Sequence, residues 1–284
     1  MSDGRTPLRA IGGADIGALM GINPFKGPRA VYYRVFGLTE DVDKPCFEWG
    51  RRLEGTVAKR FEDDHDEMFV LDTTGPQKNR TVYACGEPDR IGVNPLSSVG
   101  ETLCIIEIKT ANAYASDHWG PSGTGADGVP TYIVAQLMWY MWQWGVELGY
   151  VAVLIGGQDY REYEIDYDSE LVARMKQTAS EFWDSYIVPV ELPPLGPNDE
   201  APEASMDDGA GYITANGHQE QLMTELRAAE QQKAEAISAH ELVKERVKEA
   251  IGQARGVIAL FGEASYAANK KGVRAFRTKW NKEQ

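Results

Sequence analysis

Leu103-Cys-Ile-Ile-Glu-Ile-Lys109 is a mostly apolar run of strand length in a chain of 284 residues. Side chains alternate between the two faces of a strand. Glu107 and Lys109 therefore share one face, while Ile106 and Ile108 point to the other and suit a core. Taken alone, a carboxylate beside an ammonium on a strand reads as a solvated salt-bridge face, because Glu-x-Lys is common by chance. The neighbouring sequence changes that weighing.

Upstream, Gly86-Glu-Pro-Asp89 falls in a loop or strand end before Ile91. On a strand next to 103–109, Asp89 meets Glu107. Two carboxylates at one site repel, and a divalent cation such as Mg²⁺ relieves that repulsion through oxygen ligands. Lys109 is then placed to polarise a metal-bound water or a phosphate oxygen. The plainer reading of Asp89 is a turn residue after Pro88. Trp49-Gly-Arg-Arg-Leu-Glu54 opens an amphipathic helix predicted over 48–64, with Leu53, Val57 and Phe61 at four-residue spacing. Glu54 lies on that apolar stripe, where an unpaired carboxylate is costly. Its plainer reading is a first-turn acid favouring the helix dipole. Downstream, Gln136 sits in an almost wholly apolar helix predicted over 129–145, with Pro130 near its start. Alone it reads as a satisfied buried amide, and Trp139, Tyr140, Trp142 and Trp144 read as core.

Further out, the pattern predicts a short helix over 14–20 and strands over 81–85, 150–155 and 160–167. A helix over 168–187 follows, capped by Asp168 and closed by Pro189. This order describes an α/β fold, a mixed central sheet with helices packed on it, over residues 1–188. Residues 189–211 are rich in Pro, Gly and acid, carry no Lys or Arg, and read as a linker. Residues 212–284 form a tail. Leu222, Leu226, Ala229, Ala236, Val243, Val247 and Ala250 trace one long helix with a weak coiled-coil seam, interrupted by Lys233 and His240. Stretches 257–266 and 272–280 flank Asn269-Lys-Lys-Gly as a β-hairpin. The hairpin is basic at Lys270, Lys271, Arg274, Arg277, Lys279 and Lys282. It reads equally as a grip on DNA or a partner and as a solvated edge.

Composition narrows the function classes. The 43 acidic residues outnumber 29 Lys and Arg, for a net charge of −14. That argues against a uniformly basic nucleic-acid coat and leaves room for a local basic channel. Cys46, Cys85 and Cys104 are too few and too scattered for a disulfide framework or a Cys₄ metal site. The four histidines have no metal-ligand spacing, and there is no Walker loop, G-x-S-x-G or Cys-x-x-Cys. No run of about 18 apolar residues and no apolar leader core occurs, so a cytoplasmic protein without membrane partners is expected.

One ordered set of motifs carries a resemblance: Ile11-Gly-Gly-Ala-Asp-Ile-Gly-Ala-Leu-Met-Gly-Ile-Asn-Pro24, Trp49-Gly-Arg-Arg-Leu-Glu54, Glu87-Pro-Asp89, Glu107-Ile-Lys109 and Pro130-Thr-Tyr-Ile-Val-Ala-Gln136. The set resembles the YqaJ-type viral recombinases, grouped with phage lambda exonuclease in the PD-(D/E)XK nuclease superfamily. It covers roughly residues 8–185; each motif alone is weak, and the order is specific. The resemblance implies a PD-(D/E)XK core and Mg²⁺-dependent hydrolysis of DNA, with Mn²⁺ as a substitute. It implies Asp89 and Glu107 as direct ligands, the Ile108 carbonyl as a third, and Glu54 as a further metal-site acid. Lys109 is implied to position the attacking water, and Gln136 to support the site. Arg9, Arg51 and Arg52 are candidate DNA phosphate contacts. The implied substrate is double-stranded DNA ends, trimmed from 5′ to 3′, in phage-type recombination in a bacterial host cell. A single-strand annealing protein is the implied partner, and a ring-shaped homotrimer the implied assembly. The family's first motif commonly has Ser where this chain has Ala14, which predicts a weaker 5′-phosphate preference if that serine holds the phosphate.

Other classes remain beside this one. A RecB-like nuclease of CRISPR adaptation would commonly carry an iron–sulfur cluster, which the scattered cysteines argue against. A structure-selective or restriction endonuclease uses the same core. A DNA-end-binding module with a decayed site is the non-enzyme reading, and the intact set Glu54, Asp89, Glu107 and Lys109 speaks against it.

Overall fold

The computed structural model describes residues 7–38, 45–73, 78–199, 215–268 and 272–280, with 78–80 as backbone only. The chain divides into two compact units, Met1–Glu203 and Ala204–Gln284.

The first unit is built on a five-stranded sheet. Its strands are β1 (Phe69–Asp72), β4 (Arg90–Val93), β5 (Thr102–Ala111), β6 (Leu148–Ile155) and β7 (Asp159–Asp166), in that spatial order. A small pair, β2 (Lys78–Thr81) and β3 (Ala84–Gly86), lies outside it. Only β5 and β6 run parallel. Parallel neighbours need a long crossover, and here it contains helix α4 (Thr131–Trp144).

Both faces of the sheet are covered. Helix α3 (Pro45–Asp64) sets Val57 and Phe61 against Cys104, Ile106 and Ile108 of β5. On the opposite face, α4 sets Ile133, Leu137, Trp139 and Met141 into a cluster that contains Ile105, Val151 and Val153. Glu107 has the parity of Ile105 and shares the α4 face. The solvated salt-bridge reading of that face therefore fails, since Glu107 is 1% exposed. Two N-terminal helices, α1 (Gly13–Leu19) and α2 (Pro28–Val35), pack near α4 and α5 (Ser169–Phe182). Asp168 caps α5 by accepting from the N–H groups of Glu170 and Leu171, each at 2.9 Å.

Several boundaries differ from the sequence reading. The strand expected over 81–85 is a hairpin, with Val82 and Tyr83 between β2 and β3. The helix expected over 168–187 ends at Phe182 and continues as a π-helical turn, Trp183–Ile187. Helix α2 and strand β1 were not anticipated, and β4 only as a strand end before Ile91. The described part of the expected linker, 189–199, is bonded onto the first unit. Asp199 accepts from the N–H groups of Arg29 (3.0 Å) and Ala30 (3.3 Å) at the start of α2. Arg29 Nε donates to the Pro193 carbonyl at 2.8 Å, and Asn198 Nδ2 to the Asn23 carbonyl at 3.0 Å. Residues 200–211 lie outside the described set.

The second unit holds a 35-residue helix, α6 (Gly217–Ile251), whose only buried residue is Ile251. Asn216 caps it and Gln219 completes a capping box. A three-stranded antiparallel sheet follows, β8 (Gly256–Ala259), β9 (Gly262–Ala268) and β10 (Arg274–Trp280), with β9 central. The strand expected over 257–266 is thus two strands, turning at Leu260 and Phe261. Lys270, Lys271 and Lys282 of the basic hairpin lie outside the described residues.

Candidate active site

Asp89 ends the loop before β4, whose register pairs Arg90 with Ile106. Its carboxylate reaches across to β5, where Oδ2 accepts from the Ile108 N–H at 2.7 Å. Glu107 sits beside it. From α4, Gln136 Nε2 donates to Glu107 Oε1 at 2.6 Å and to the Tyr140 hydroxyl at 3.3 Å. Lys109 Nζ also donates to Glu107 Oε1. Both donors therefore fall on one oxygen. Glu107 Oε2 is buried and has no hydrogen-bond partner.

The electrostatics follow from this packing. Burial first, and then the charge of Asp89, push Glu107 up to about 8, against the pull of Lys109. Burial likewise raises Asp89, with Glu54 adding and Lys109, the Ile108 N–H and Arg90 opposing. For Lys109, burial acts to lower the pKa, but Glu107 and Asp89 outweigh it and hold the ammonium protonated above its usual range.

Glu54 comes in from α3 and is held by Arg90 Nη1 at 2.7 Å. Arg90 also bonds Asp72 Oδ1 of β1 at 2.7 Å and the Asp89 carbonyl at 2.6 Å. These side chains line a cavity of about 280 Å³ together with Glu87. The structure thus gathers Glu54, Asp89, Glu107, Lys109 and Gln136, with the Ile108 backbone among them. Arg90 and Asp72 were missed, because their partners lie far away in sequence.

A second cavity, about 610 Å³, adjoins the first at Glu87 and carries Arg9, Lys26 and Arg34 with Ala14, Asp15 and Tyr140. Asp15 is 2% exposed. It accepts from the Gly12 N–H at 2.8 Å, Lys26 Nζ at 3.0 Å, and Arg34 Nε at 3.0 Å and Nη2 at 2.5 Å. The sequence reading found Arg9 but not Lys26, Arg34 or Asp15, although an acid inside the apolar segment 13–19 was a visible signal. Arg51 and Arg52 are exposed on α3, where Arg52 pairs with Glu48 at 2.7 Å.

Among the described residues, no three of His, Cys, Asp and Glu converge as a preformed metal cage. The donor set still fits Mg²⁺, which typically takes one or two carboxylates and fills its shell with water and substrate phosphate oxygens. The unpartnered Glu107 Oε2, beside a second buried carboxylate, is the atom such an ion would satisfy.

A sequence model of the YqaJ-like viral recombinase domain matches residues 5–147, half of the chain. The chain belongs to that family. The uncharacterized protein YqaJ of Bacillus subtilis (strain 168) is 26% identical over 200 residues, covering 69% of this chain and 59% of that relative. The match thus spans less than two thirds of the relative's length. Among solved structures, the alkaline exonuclease LHK-Exo from Laribacter hongkongensis, in complex with dAMP, aligns with a TM-score of 0.50 at 15% identity. That alignment covers 63% of this chain and 88% of the other. A second LHK-Exo structure gives a TM-score of 0.49 at 14% identity over the same shares. The YqaJ-family chain shares the fold of the dAMP-bound LHK-Exo structure, a mixed sheet flanked by helices, and carries in addition a long C-terminal helix and a hairpin sheet. Among the described residues, no helix is long and apolar enough to cross a membrane.

Proposed function

We infer that this chain is a Mg²⁺-dependent exonuclease that hydrolyses the ends of linear double-stranded DNA from 5′ to 3′, in phage-type recombination. The observation that carries the reading is the buried Glu107 carboxylate with one oxygen free, flanked by Asp89 and Lys109. Mg²⁺, or Mn²⁺ in its place, would be held by Asp89, Glu107 and the Ile108 carbonyl, with Glu54 reached through Arg90. The ion supplies charge stabilisation at the phosphate and the leaving oxygen. Lys109 stays an ammonium and donates a hydrogen bond to the attacking water or a phosphate oxygen. Gln136 fixes the Glu107 carboxylate so that Oε2 faces the reaction. Water attacks phosphorus, the P–O3′ bond breaks, and the shortened strand keeps a 5′ phosphate. The cationic cavity at Arg9, Lys26 and Arg34 is the place for that new terminal phosphate.

A ring of three chains, basic inside and acidic outside, reconciles a net charge of −14 with DNA binding. Light scattering should give three chain masses, and a strictly monomeric active enzyme overturns the ring. A single-strand annealing protein is the expected partner for the 3′ overhang.

The test is digestion of end-labelled linear duplex beside a closed circle, with Mg²⁺ and with chelator, using wild type and Glu107→Ala. Stepwise loss of the linear duplex alone, absent in the variant, is expected. Nicking of the circle would point to an endonuclease. DNA binding without cleavage would point to an end-binding module.

A further inference from the structure

Lys109 also lines a third cavity, of about 480 Å³. This volume falls within the range of small-ligand sites, roughly 300–1,000 Å³. Its wall is aromatic and apolar: Phe25, Trp119, Pro130, Tyr132 and Ile133, with Lys109 on the rim. A few polar groups, Thr110, Asn112 and His118, interrupt it. Trp119 is buried and tilts against Tyr163 at 5.9 Å. Phe25 differs, being 77% exposed.

An exposed phenylalanine ordinarily has no partner, but the backbone of this one is tethered and its ring has a neighbour. Its N–H donates to the Asn23 side chain at 2.8 Å, and Asn23 is buried. The Asn23 carbonyl in turn accepts from Asn198 at 3.0 Å. The Phe25 ring meets Tyr132 edge to face, at 5.8 Å and 88°. The chain thus holds a pair of aromatic rings at the mouth of an apolar cavity, with one ring open to solvent. Nothing in the hydrolysis described above uses it.

We propose that this cavity takes the unpaired nucleobase of the nucleotide next to the scissile phosphate, stacked on the open ring of Phe25 with Tyr132 meeting the base at its edge. The proposal rests on the nuclease reading and adds where the strand end goes. A phosphodiester at Lys109 and Glu107 carries its base only one sugar away. To reach carboxylates this buried, the 5′ strand must leave the duplex, and a base taken out of its stack needs a new apolar face. Aromatic rings supply one without regard to sequence, because every base has a π face. Lys109 joins the two halves of the site: its ammonium bonds Glu107, and the residue lines the cavity.

The experiment measures KM and kcat for full-length protein on linear duplex with a normal or an abasic 5′-terminal nucleotide, using wild type, Phe25→Ala and Phe25→Trp. Phe25→Ala should raise KM about tenfold, the scale of one base–aromatic stack, with kcat changed less. Phe25→Trp should restore KM. The abasic end should cost wild type a similar factor and cost Phe25→Ala almost nothing more, because the two changes remove one contact. Losses that multiply, or an abasic end cleaved with wild-type KM, overturn the proposal and leave the nuclease reading standing. Free dAMP that competes equally well against normal and abasic ends would assign the cavity to the released product, which also overturns it. No hydrolysis of either duplex by wild type overturns both.

Discussion

Asp15 and Glu107 are two carboxylates of nearly equal burial, 2% and 1% exposed, and they are partnered in opposite ways. Asp15 has donors on both oxygens: Lys26 and Arg34 Nε on Oδ1, the Gly12 N–H and Arg34 Nη2 on Oδ2. Glu107 has both of its donors on Oε1 and none on Oε2. Burial alone therefore does not separate a structural acid from a reactive one. The distinction lies in which lone pairs are left over. A buried acceptor without a partner costs stability, and a fold keeps it when something else is meant to fill it.

The largest expected effect is Glu107→Gln, which should lower cleavage by at least about a thousandfold, since it removes a ligand of the charge-stabilising ion. The same substitution should leave Tm without Mg²⁺ at neutral pH equal to or above that of wild type, because burial pushes Glu107 up to about 8, which favours the uncharged acid there, and a neutral amide of similar shape takes its place. A fall of many degrees in Tm would break the contrast with Asp15. Next comes Asp15→Ala. Removing one member of a buried ion pair costs about 3–5 kcal/mol, and the lower part of that range applies because Lys26 and Arg34 are 30% and 25% exposed and rehydrate. Urea unfolding should show a loss of about 3 kcal/mol; a neutral result would make Asp15 dispensable to the fold. Third, Mg²⁺ should stabilise wild type by about 2.7 kcal/mol at a hundredfold excess over Kd, but not Glu107→Gln. Equal stabilisation of both would place the ion elsewhere.

The smallest effect belongs to His65, which lies between Glu67 at 2.8 Å and Glu162 of β7 at 2.7 Å. Burial acts to lower its pKa, but the two hydrogen-bonded carboxylates outweigh that and raise it above the usual histidine value. A raised folded pKa means the stabilisation is complete below about pH 6.5. It is lost as pH rises through the folded value. The difference in unfolding free energy between acid and alkaline buffer should shrink by under about 1 kcal/mol in His65→Gln. An unchanged pH profile would remove His65 from the account.

The segments legible in the sequence were those where burial on both sides writes a continuous apolar run. β5, β6 and α4 are of this kind, and strand parity placed Glu107 with Lys109. β1 was not legible, since it is a four-residue edge strand with Phe69 and Leu71 substantially exposed. The β2–β3 and β8–β9 turns were missed because Val82-Tyr83 and Leu260-Phe261 stand where Gly, Asn or Pro usually punctuates a turn. Of the candidate site, Asp89, Glu107, Lys109, Gln136 and Glu54 could be read from their motifs. The Arg90 bridge and the Asp15 cluster could not, because each depends on partners from other elements. α6 was legible for a different reason: its 35 residues form a helix from local signals, with almost no burial within its own unit.

The strap that ends at Asp199 bears on how the molecule is made. Asp199 closes the first turn of α2 across a sequence separation of 170, and Asn198 fastens Asn23 across a separation of 175. On the ribosome, α1 and α2 emerge before the sheet and wait for all of it to follow before their last fastening arrives. A chain cut at residue 188 is born without it. The shortest independently folding fragment should accordingly end beyond Asp199, so the maturation of the N-terminal helices is a late event in synthesis.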